Sequence, residues 1–548
     1  MSNPENDEHS NIDHESISHK LKWGLIRANK WHMLDELESK VGDELHDPVE
    51  LESTLNYLRE DVHVQLTKTY LRINRTKKEH STISLKKDIY CTRRDPEDPA
   101  KFFVHALLDV YKRTVFHFTA KDSVEATKWI STIIQFVYDL ELPIEKLPCR
   151  RILVIVNPLS GGRKGRKQFE EAVKPILDDS QAAGDINYTT IYTEYAGHAT
   201  KICQQVNVAD WDAIGCCGGD GCSHEGLTGL LERPDWRNAS KIPICPIPCG
   251  TSNALASSFY GSDHALERSA FALVRGYQRP LDVCSVVQPG GVRIYSFLTV
   301  MFGFLANVTH KTEIIRKFNV ASVRNMIGAT KEIIEMPTYR AELSFVNFDM
   351  DTPIDLDDPN NANHMKFEHR QERTNLFRDI IKGDYTGFKN TPCEEDPDGP
   401  KLPLLSKFYP ECFLTSKRGF VENVTGVDPR NKEFVRVDSE FFAVQSCNVS
   451  HIAANYPLAP TAYSNSEYMD LIWVPKEKAS RVEFITKFID LKFNEKKMYD
   501  DHMVTGKTQC FKLVPFDKGS FVSIDGEEAD YVATYIEMHT KLCNVIVM

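Results

Sequence analysis

The chain has 548 residues, of which 41% are hydrophobic, with a net charge of −12 and 14 cysteines. This length allows about three domains with hydrophobic cores. The acidic balance argues against a nucleic-acid-binding protein, because such proteins carry a basic footprint. The cysteines are scattered through hydrophobic segments, which is typical of reduced thiols rather than of a disulfide framework.

The sequence was searched for a signal peptide and for a membrane-spanning segment. The first residues are polar and acidic, which is unlike a signal peptide. The longest apolar run, residues 295–308, is shorter than the about 20 residues that a membrane-spanning helix needs. We therefore expect a cytoplasmic protein that associates with membranes only peripherally.

Residues 1–48 are rich in Asn, Asp, Glu, Ser and His, and we expect this acidic N-terminus to be partly disordered. Between 50 and 142 the pattern changes to short strands followed by a helix over 123–140, with Ser123 as its cap and Val124 and Trp129 on its apolar stripe. Several antiparallel strands closed by one helix with a Trp resemble a pleckstrin-homology module. Its basic loop at 75–78 is explained better as a solvated hairpin tip than as a specific phosphoinositide site.

Residues 150–280 alternate strands and helices. The predicted strands are 151–156, 188–192, 213–217 and 244–247, and the predicted helices are 167–177, 199–208, 223–232 and 253–260. This alternation predicts a doubly wound α/β domain, in which ligands bind beyond the carboxyl ends of the strands.

After residue 281 β-rich segments dominate. The candidate strands are 281–287, 293–301, 339–346, 440–446, 468–474, 510–514 and 520–524. We predict that residues 281–548 form an antiparallel β-sandwich domain, interrupted by an acidic, Pro-rich surface insertion at 348–412. The fold class is therefore multidomain α/β plus β.

Three loops of the α/β unit combine glycine with polar or charged residues. They are the basic loop 157–167, the turn Gly218–Gly221 around Asp220, and the loop 248–256. Taken singly, each has an ordinary explanation: a solvated basic turn, a tight left-handed turn, or a helix start capped by Asn253. Because all three follow strands of one α/β unit, they can converge on one ligand. The set predicts a nucleotide triphosphate site that lacks the P-loop pattern.

In order along the chain, these loops resemble the catalytic domain of diacylglycerol kinases, and more narrowly that of sphingosine and ceramide kinases. The resemblance runs from about residue 150 to the C-terminus apart from the acidic insertion. The matching motifs are Asn157-Pro158 with Gly161-Gly162, Thr193-Glu194 before Gly197, Gly218-Gly219-Asp220-Gly221 with Glu225, Gly250-Thr251-Ser252, and Asp525-Gly526-Glu527. The segment Glu232–Trp236 is similar to sphingosine kinases in particular.

The resemblance implies ATP-dependent phosphorylation of a lipid primary hydroxyl, with Asp220 as the general base and ATP and Mg²⁺ as cofactors. It implies a sphingolipid substrate. Apart from the resemblance, we expect contact with an anionic membrane surface, with a homodimer as one option. The residues implied to bind ATP are Asn157, Pro158, Gly161, Gly162, Thr193, Gly197, Gly218, Gly219, Gly221, Glu225, Gly250, Thr251, Ser252, Arg316, Arg324, Asp525, Gly526 and Glu527. Asp525 would act on Mg²⁺ through water. The implied substrate residues are Phe302, Phe304, Asn307 and Thr309.

One departure from the family pattern bears on the substrate. Sphingosine kinases have acidic residues where this chain has Asn307 and Thr309. A free sphingoid base is a cation, so losing both carboxylates weakens its recognition, whereas ceramide has a neutral amide. We favour a sphingoid-base kinase, with a ceramide kinase as the alternative and a lipid-binding scaffold with a degenerate kinase fold as a third.

Overall fold

The computed structural model describes residues 47–75, 80–108, 111–290, 292–316, 337–347, 374–375, 433–453, 456–459, 461–484, 486 and 503–548. The predictions made for residues 1–46, for the basic loop at 76–78, for Arg324 and for most of the 348–412 insertion lie outside these residues. Among the helices that these ranges contain, none combines the length and the apolar character needed to cross a membrane.

The N-terminal module is an antiparallel sheet closed by a helix. Its elements are β1 (Leu51–Tyr57), β2 (Glu60–Leu66), β3 (Tyr70–Asn74), β4 (His80–Ser84), β5 (Ile89–Arg94), β6 (Lys101–Leu108), β7 (Lys112–Thr119) and α1 (Ser123–Val137). The strand order is β4-β3-β2-β1-β7-β6-β5. Trp129 is fully buried, and its indole N–H donates to Ser53 Oγ at 3.0 Å, which fixes α1 on the sheet.

Two details of α1 differ from the sequence prediction. The cap is Asp122 and not Ser123, because the Asp122 carboxylate accepts the Glu125 N–H at 2.8 Å. Val124 is 75% exposed and lies off the apolar stripe, since helical periodicity places it on the face opposite the buried Ala126, Ile133 and Val137.

The α/β unit follows the predicted alternation. Its elements are β8 (Arg150–Val156), α2 (Gly165–Gln168), α3 (Lys174–Ala183), β9 (Ile186–Tyr192), α4 (His198–Gln205), β10 (Ala213–Gly218), α5 (Asp220–Leu231), α6 (Trp236–Ala239), β11 (Ile244–Pro248), α7 (Ala254–Tyr260) and α8 (Ala265–Arg275). A π-helical turn, Phe169–Val173, joins α2 to α3. The strands are parallel in the order β11-β10-β8-β9. Residues 152–156 of β8 have no exposed surface, as expected for a strand covered on both faces.

The rest of the chain is largely antiparallel. Its elements are β12 (Tyr277–Gln288), β13 (Val292–Ser296), β14 (Thr299–Gly303), α9 (Phe304–Arg316), β15 (Tyr339–Asn347), β16 (Thr374–Asn375), β17 (Glu433–Cys447), β18 (His451–Ala453), β19 (Tyr456–Pro457), β20 (Met469–Pro475), β21 (Val504–Thr508), β22 (Cys510–Pro515), β23 (Val522–Ile524), β24 (Glu527–Ala529) and β25 (Thr534–Ile546). The single strand predicted over 293–301 is broken into β13 and β14 at Phe297 and Leu298.

The antiparallel strands and the parallel strands of the α/β unit form one sheet. Strand β25 pairs antiparallel with β12 and β22, and it pairs parallel with β11 through Ile244 and Val545. The sheet order therefore runs β24-β23-β14-β17-β15-β22-β25-β11-β10-β8-β9. Residues near the C-terminus thus complete the sheet that carries the glycine loops.

Two buried polar clusters fix the N-terminal module on the α/β unit. In the first, Arg275 of α8 has no exposed surface, and its guanidinium donates to the carbonyls of Lys86 and Ile89 at 2.9 Å and of Val137 at 2.7 Å. All three acceptors belong to the N-terminal module. The module is therefore attached through a buried charge whose hydrogen bonds are made across the contact.

The second cluster surrounds Asp179 of α3. Its carboxylate accepts from Tyr90 Oη at 2.6 Å and from Arg113 Nε at 2.5 Å, and His105 Nδ1 lies at 3.2 Å. Burial alone would raise the pKa of Asp179, but the hydrogen bonds from His105, Arg113 and Tyr90 hold that pKa well below its usual range. Asp179 is therefore ionised at neutral pH and contributes to the attachment as a charge.

We expect Arg275→Met to lower the free energy of unfolding by about 3–5 kcal/mol, because it leaves buried carbonyls without their charged donor. Lys201→Met, on the exposed surface of α4, should change it by less than about 0.5 kcal/mol. Denaturant titrations of the two purified variants measure both values. An Arg275 variant as stable as the Lys201 variant would show that the attachment does not depend on this side chain.

Candidate active site

The three glycine loops touch one another. A Cβ atom added to Gly161 would lie 2.4 Å from the carbonyl oxygen of Cys249, and one added to Gly250 would lie 2.3 Å from the Cα of Gly219. Real Cβ atoms do not come this close to backbone, so only glycine fits at both positions. Gly161 and Gly162 also have φ of +56° and +72°, in the left-handed region that glycine adopts without strain. The predicted convergence of the loops after β8, β10 and β11 is therefore present.

Asp220 bridges two of these loops. It is the first residue of α5, and its carboxylate oxygens accept the backbone N–H groups of Ala254 at 2.8 Å and of Leu255 at 3.0 Å. These N–H groups belong to the first turn of α7, where unpaired donors and the helix dipole favour a negative charge. A carboxylate from one loop thus caps the helix that follows another.

Asn253 has a different role from the predicted helix cap. Its backbone has φ of +51°, and its side chain makes two reciprocal hydrogen bonds of 3.0 Å with the N–H and the carbonyl of Gly250. Asn253 therefore closes the turn Gly250–Asn253, which leaves the α7 N–H groups to Asp220. Thr251 and Ser252 are exposed at the tip of this turn.

Burial raises the pKa of Asp220, and the nearby negative charge of Asp525 raises it further, while the N–H groups of Ala254 and Leu255 oppose the shift. A carboxylate with a raised pKa is a stronger base than an ordinary Asp. The carboxylate is only partly exposed, so it can meet a proton donor that enters between the loops. The geometry therefore suits general-base catalysis.

Glu225, the second carboxylate of α5, caps a different helix. Its oxygens accept the N–H groups of Gly197 at 2.9 Å and of Ala199 at 3.1 Å, at the start of α4. The segment Glu232–Trp236 holds the other end of α4: the Arg233 guanidinium donates to the carbonyls of Gln204 at 2.7 Å and Val206 at 2.9 Å. The helix beside the nucleotide loops is thus held at both ends by residues that the resemblance had singled out.

The remaining predicted residues of the first loops lie at the same edge of the sheet. Asn157 Oδ1 accepts the N–H of Leu159 at 3.0 Å, next to Pro158, and the Thr193 N–H donates to the carbonyl of Val156 at 2.8 Å. Gly197 has φ of +83°, and a Cβ there would meet nothing within 4 Å. These contacts fix the backbone and leave open space above the loops.

The hairpin that carries Asp525 reaches this site from the antiparallel region. Asp525 and Gly526 have φ of +50° and +91° and form the two-residue turn between β23 and β24, as Asp-Gly favours. The Glu527 carboxylate lies 3.8 Å from the position of a Cβ on Gly221. The hairpin thus brings two carboxylates beside the Gly218–Gly221 turn, which accounts for the effect of Asp525 on Asp220.

The Asp525 side chain is also structural. Its carboxylate accepts from Ser296 Oγ at 2.6 Å and from three successive N–H groups, those of Phe297, Leu298 and Thr299, each at 3.0 Å. This explains the break between β13 and β14, because the backbone turns there to point its donors at one carboxylate. Among the described residues, no three His, Cys, Asp or Glu side chains converge so as to hold a metal ion by themselves.

The predicted substrate residues separate into two places. Phe302 is fully buried in the core, 6.0 Å from the ring of Tyr531, whereas Phe304 begins α9 and packs at 5.3 Å against Phe484. Asn307 is fully buried on α9, and Thr309 is partly buried one turn after Leu305. Arg316 is the last residue of α9.

Sequence reasoning missed the structural roles of Asn253 and Arg233, although the spacing of Asn253 three residues after Gly250 is a turn signal.

We expect Gly250→Ala to lower the free energy of unfolding by about 1–3 kcal/mol, because its Cβ would overlap the backbone of Gly219. Gly219→Ala is the matched control, since the Cβ there would lie 3.4 Å from the Cα of Gly250 and its φ of −88° suits alanine. Thermal unfolding of both variants compares them. Equal stabilities would contradict a contact between the two loops.

The sequence of the chain is similar to several known proteins. Residues 151–286 match the sequence model of the diacylglycerol kinase catalytic domain. The chain is 24% identical to human sphingosine kinase 2 over 502 residues, which cover 76% of this chain and 75% of that protein. It is 32% identical to human sphingosine kinase 1 over 207 residues, 36% of this chain and 52% of that protein.

Two further similarities lie outside mammals. Sphingoid long chain base kinase 5 of Saccharomyces cerevisiae is 33% identical over 198 residues, which cover 35% of this chain and 28% of that protein. The crystal structure of a diacylglycerol kinase from Bacillus anthracis aligns with 73% of this chain and 97% of its own, at 14% identity and a TM-score of 0.41. Apart from human sphingosine kinase 2, the chain spans about half or less of the length of the relatives named here.

Residues 151–286, which carry the glycine loops and the carboxylate between them, match the diacylglycerol kinase catalytic domain. Over longer stretches the chain is similar to sphingosine kinases.

Proposed function

We propose that the chain transfers the γ-phosphate of ATP to the primary hydroxyl of a sphingoid base such as sphingosine. The observation that carries this proposal is the position of Asp220 between two glycine loops. Its carboxylate has a raised pKa, and the loops touch at positions where only glycine fits. The similarity to sphingosine kinases supports the choice of acceptor.

In the proposed reaction, Asp220 accepts the proton of the acceptor hydroxyl while that oxygen bonds phosphorus. An alcohol is too weak an acid to be ionised beforehand by an Asp, so the proton moves as the bond forms. Positioning and charge neutralisation supply most of the rate enhancement in phosphoryl transfer. The hydrogen bonds from α7 fix the direction of the Asp220 carboxylate before the acceptor arrives.

The nucleotide fits the open edge of the loops, and ATP supplies the phosphoryl group when bound. Gly162 and Gly197 have open space where a side chain would be, which leaves room for phosphates near the backbone, and Thr251 and Ser252 offer hydroxyls. Mg²⁺ would be held mainly by phosphate oxygens and water, with Asp525 and Glu527 as outer partners, because the described side chains form no complete metal cage. The remaining ATP-binding residues named above, Arg316 and Arg324 included, stay predictions.

Ceramide is the second acceptor to consider. Asn307 and Thr309 provide no carboxylate on α9, which suits a neutral amide better than an ammonium group. A lipid-binding scaffold without turnover is the third option, and the intact Asp220 site speaks against it.

We also propose that residues 50–142 form a pleckstrin-homology-like module that helps a cytoplasmic kinase to meet anionic membranes. The seven-stranded antiparallel sheet with Trp129 on its closing helix supports this assignment. The attachment through Arg275 and Asp179 would fix the orientation of the kinase relative to such a surface. The C-terminal β-sandwich and the homodimer stay predictions.

The matched pair Asp220→Asn and Glu225→Gln separates catalysis from structure, since each carboxylate caps one helix from α5. We expect Asp220→Asn to lower kcat for sphingosine phosphorylation by about 10²–10⁴-fold, because the base is lost. Glu225→Gln should lower kcat much less than this at saturating ATP. Initial rates with labelled ATP and binding of a fluorescent nucleotide, measured beside thermal stability, make the comparison. Equal losses of rate and stability in both variants would make Asp220 a structural cap only.

The rate should also depend on pH in a defined direction. Because the pKa of Asp220 is raised, its protonation on acidification should remove the base at a pH above the ordinary Asp value of about 3.9. The acid limb of kcat should therefore lie above that value, and tryptophan fluorescence should report a folded chain throughout. A rate that stays constant down to pH 4 would contradict this role of Asp220.

A further inference from the structure

Two buried cysteines lie directly beneath the glycine loops. Cys217 is the next-to-last residue of β10, and Cys249 follows the last residue of β11. Both are free thiols without exposed surface, and their sulfur atoms lie 2.9 Å apart, within hydrogen-bond distance of each other. Each cysteine is followed in the chain by a glycine of the site, Gly218 or Gly250. A covalent bond between the two sulfurs would therefore join two loops of the site at their bases.

The backbone of the Cys217–Cys249 pair also contacts the third loop. The carbonyl of Cys217 accepts the N–H of Asn157 at 2.8 Å. The carbonyl oxygen of Cys249 is the atom that a Cβ on Gly161 would overlap. All three loops that converge at the site thus rest on the backbone of these two residues, and a change in the pair reaches each of them.

Closing a disulfide requires the two sulfurs to approach each other. An S–S bond is about 2.05 Å long, so the separation of 2.9 Å must shrink by about 0.9 Å. Cys217 lies inside β10, which pairs with β8 on one side and with β11 on the other, so its backbone is held on both sides. Cys249 lies past the end of β11, where its N–H donates to the carbonyls of Gly218 at 2.8 Å and Ile247 at 3.0 Å. The shift therefore falls on Cys249 and on the Gly250 turn that follows it.

A displaced Gly250 turn would disturb the site directly. Gly250 packs against the backbone of Gly219 without room for a Cβ atom, and its N–H and carbonyl are hydrogen-bonded to Asn253, the residue before α7. Movement of the turn is therefore passed to the start of α7, whose N–H groups hold Asp220. In enzymes a misplacement of about 1 Å can lower the rate about 10²-fold. A disulfide at this position should thus impair the site.

A small oxidant can reach the pair through the glycine loops. Gly219 and Gly250, within two residues of the cysteines, are partly exposed and carry no side chain. The hydrogen bond with Cys249 and burial raise the pKa of the Cys217 thiol well above its usual range, so the closed loops keep it protonated and unreactive. Reaction therefore depends on local opening of the loops. A nucleotide that holds the loops closed should slow it.

We propose that Cys217 and Cys249 form a reversible disulfide that inactivates the kinase under oxidising conditions. Hydrogen peroxide oxidises one thiol to a sulfenic acid and releases one water, and the second thiol displaces a second water as the S–S bond forms. The sulfurs lose two electrons, the O–O bond of the peroxide breaks, and the two thiol protons leave in the waters. A dithiol reductant reverses the change by thiol–disulfide exchange. This inference rests on the proposed function.

The test treats the purified full-length chain with hydrogen peroxide, removes the peroxide with catalase, and measures sphingosine phosphorylation relative to each protein's own untreated rate. We expect the wild-type rate to fall by about tenfold or more, and binding of a fluorescent ATP analogue to weaken, because the Gly250 turn is displaced. Dithiothreitol should restore both. Cys217→Ala and Cys249→Ala, in which the S–S bond cannot close, should each lose little of their own untreated rate.

Cys216→Ala is the matched control. Cys216 is 1% exposed on the same strand, but its side chain lies on the opposite face of β10, where it hydrogen-bonds with Cys222. This variant should remain as sensitive to peroxide as the wild-type chain, and mass spectrometry of its unreduced peptides should show the link between Cys217 and Cys249. An insensitive Cys216→Ala variant, or a Cys249→Ala variant inactivated as fully as the wild type, would overturn the proposal.

The peptide link and nucleotide binding are measured without phosphate transfer, which separates this inference from the proposed function. A wild-type chain that transfers no phosphate would contradict the proposed kinase, whereas the Cys217–Cys249 link together with weakened nucleotide binding would still support the disulfide switch. A chain that forms no such link, or that transfers phosphate at an unchanged rate once the link has formed, would overturn the switch and leave the proposed kinase in place.

Discussion

The site depends on the hydrogen bonds that the Asp220 carboxylate accepts from the first turn of α7. The carboxylate joins two loops that are about 30 residues apart in the chain, and it does so through backbone donors that a helix start leaves unpaired. The same bonds lower the pKa of Asp220 while burial and Asp525 raise it, so that the group is held in place and still basic. A side chain at Gly250 would overlap the backbone of Gly219 and push the two loops apart.

Elsewhere near the site, side chains likewise hold unpaired backbone groups at the ends of helices and strands. Glu225 and Arg233 hold the two ends of α4, and Asp525 gathers three successive N–H groups at the break between β13 and β14. Since β25 joins the antiparallel strands to β11, the hairpin that presents Asp525, Glu527 and Glu528 is fixed relative to the glycine loops. The glycine loops and the Asp525 hairpin therefore belong to one sheet, and a rigid sheet suits the precise positioning that the proposed reaction requires.

Much of this could be predicted from the sequence, because it rests on local patterns. Buried strands such as β8 can be recognised in the sequence as runs of apolar residues. Glycine loops that follow such strands predict a phosphate site. The cap of α7 could not be predicted, because it depends on Asp220 and Asn253 from different loops competing for the same donors, which only the packed chain decides. Val124 was wrongly assigned to the apolar stripe, because it lies on the helix face opposite Ala126, Ile133 and Val137, which are buried.

The central claim is that this site phosphorylates a free sphingoid base. The most direct measurement is the transfer of labelled phosphate from ATP by the purified wild-type chain, with sphingosine and ceramide offered in equal amounts in the same micelles. We expect phosphorylated sphingosine to form well ahead of phosphorylated ceramide. Label found only in ceramide, or in neither lipid, would contradict it.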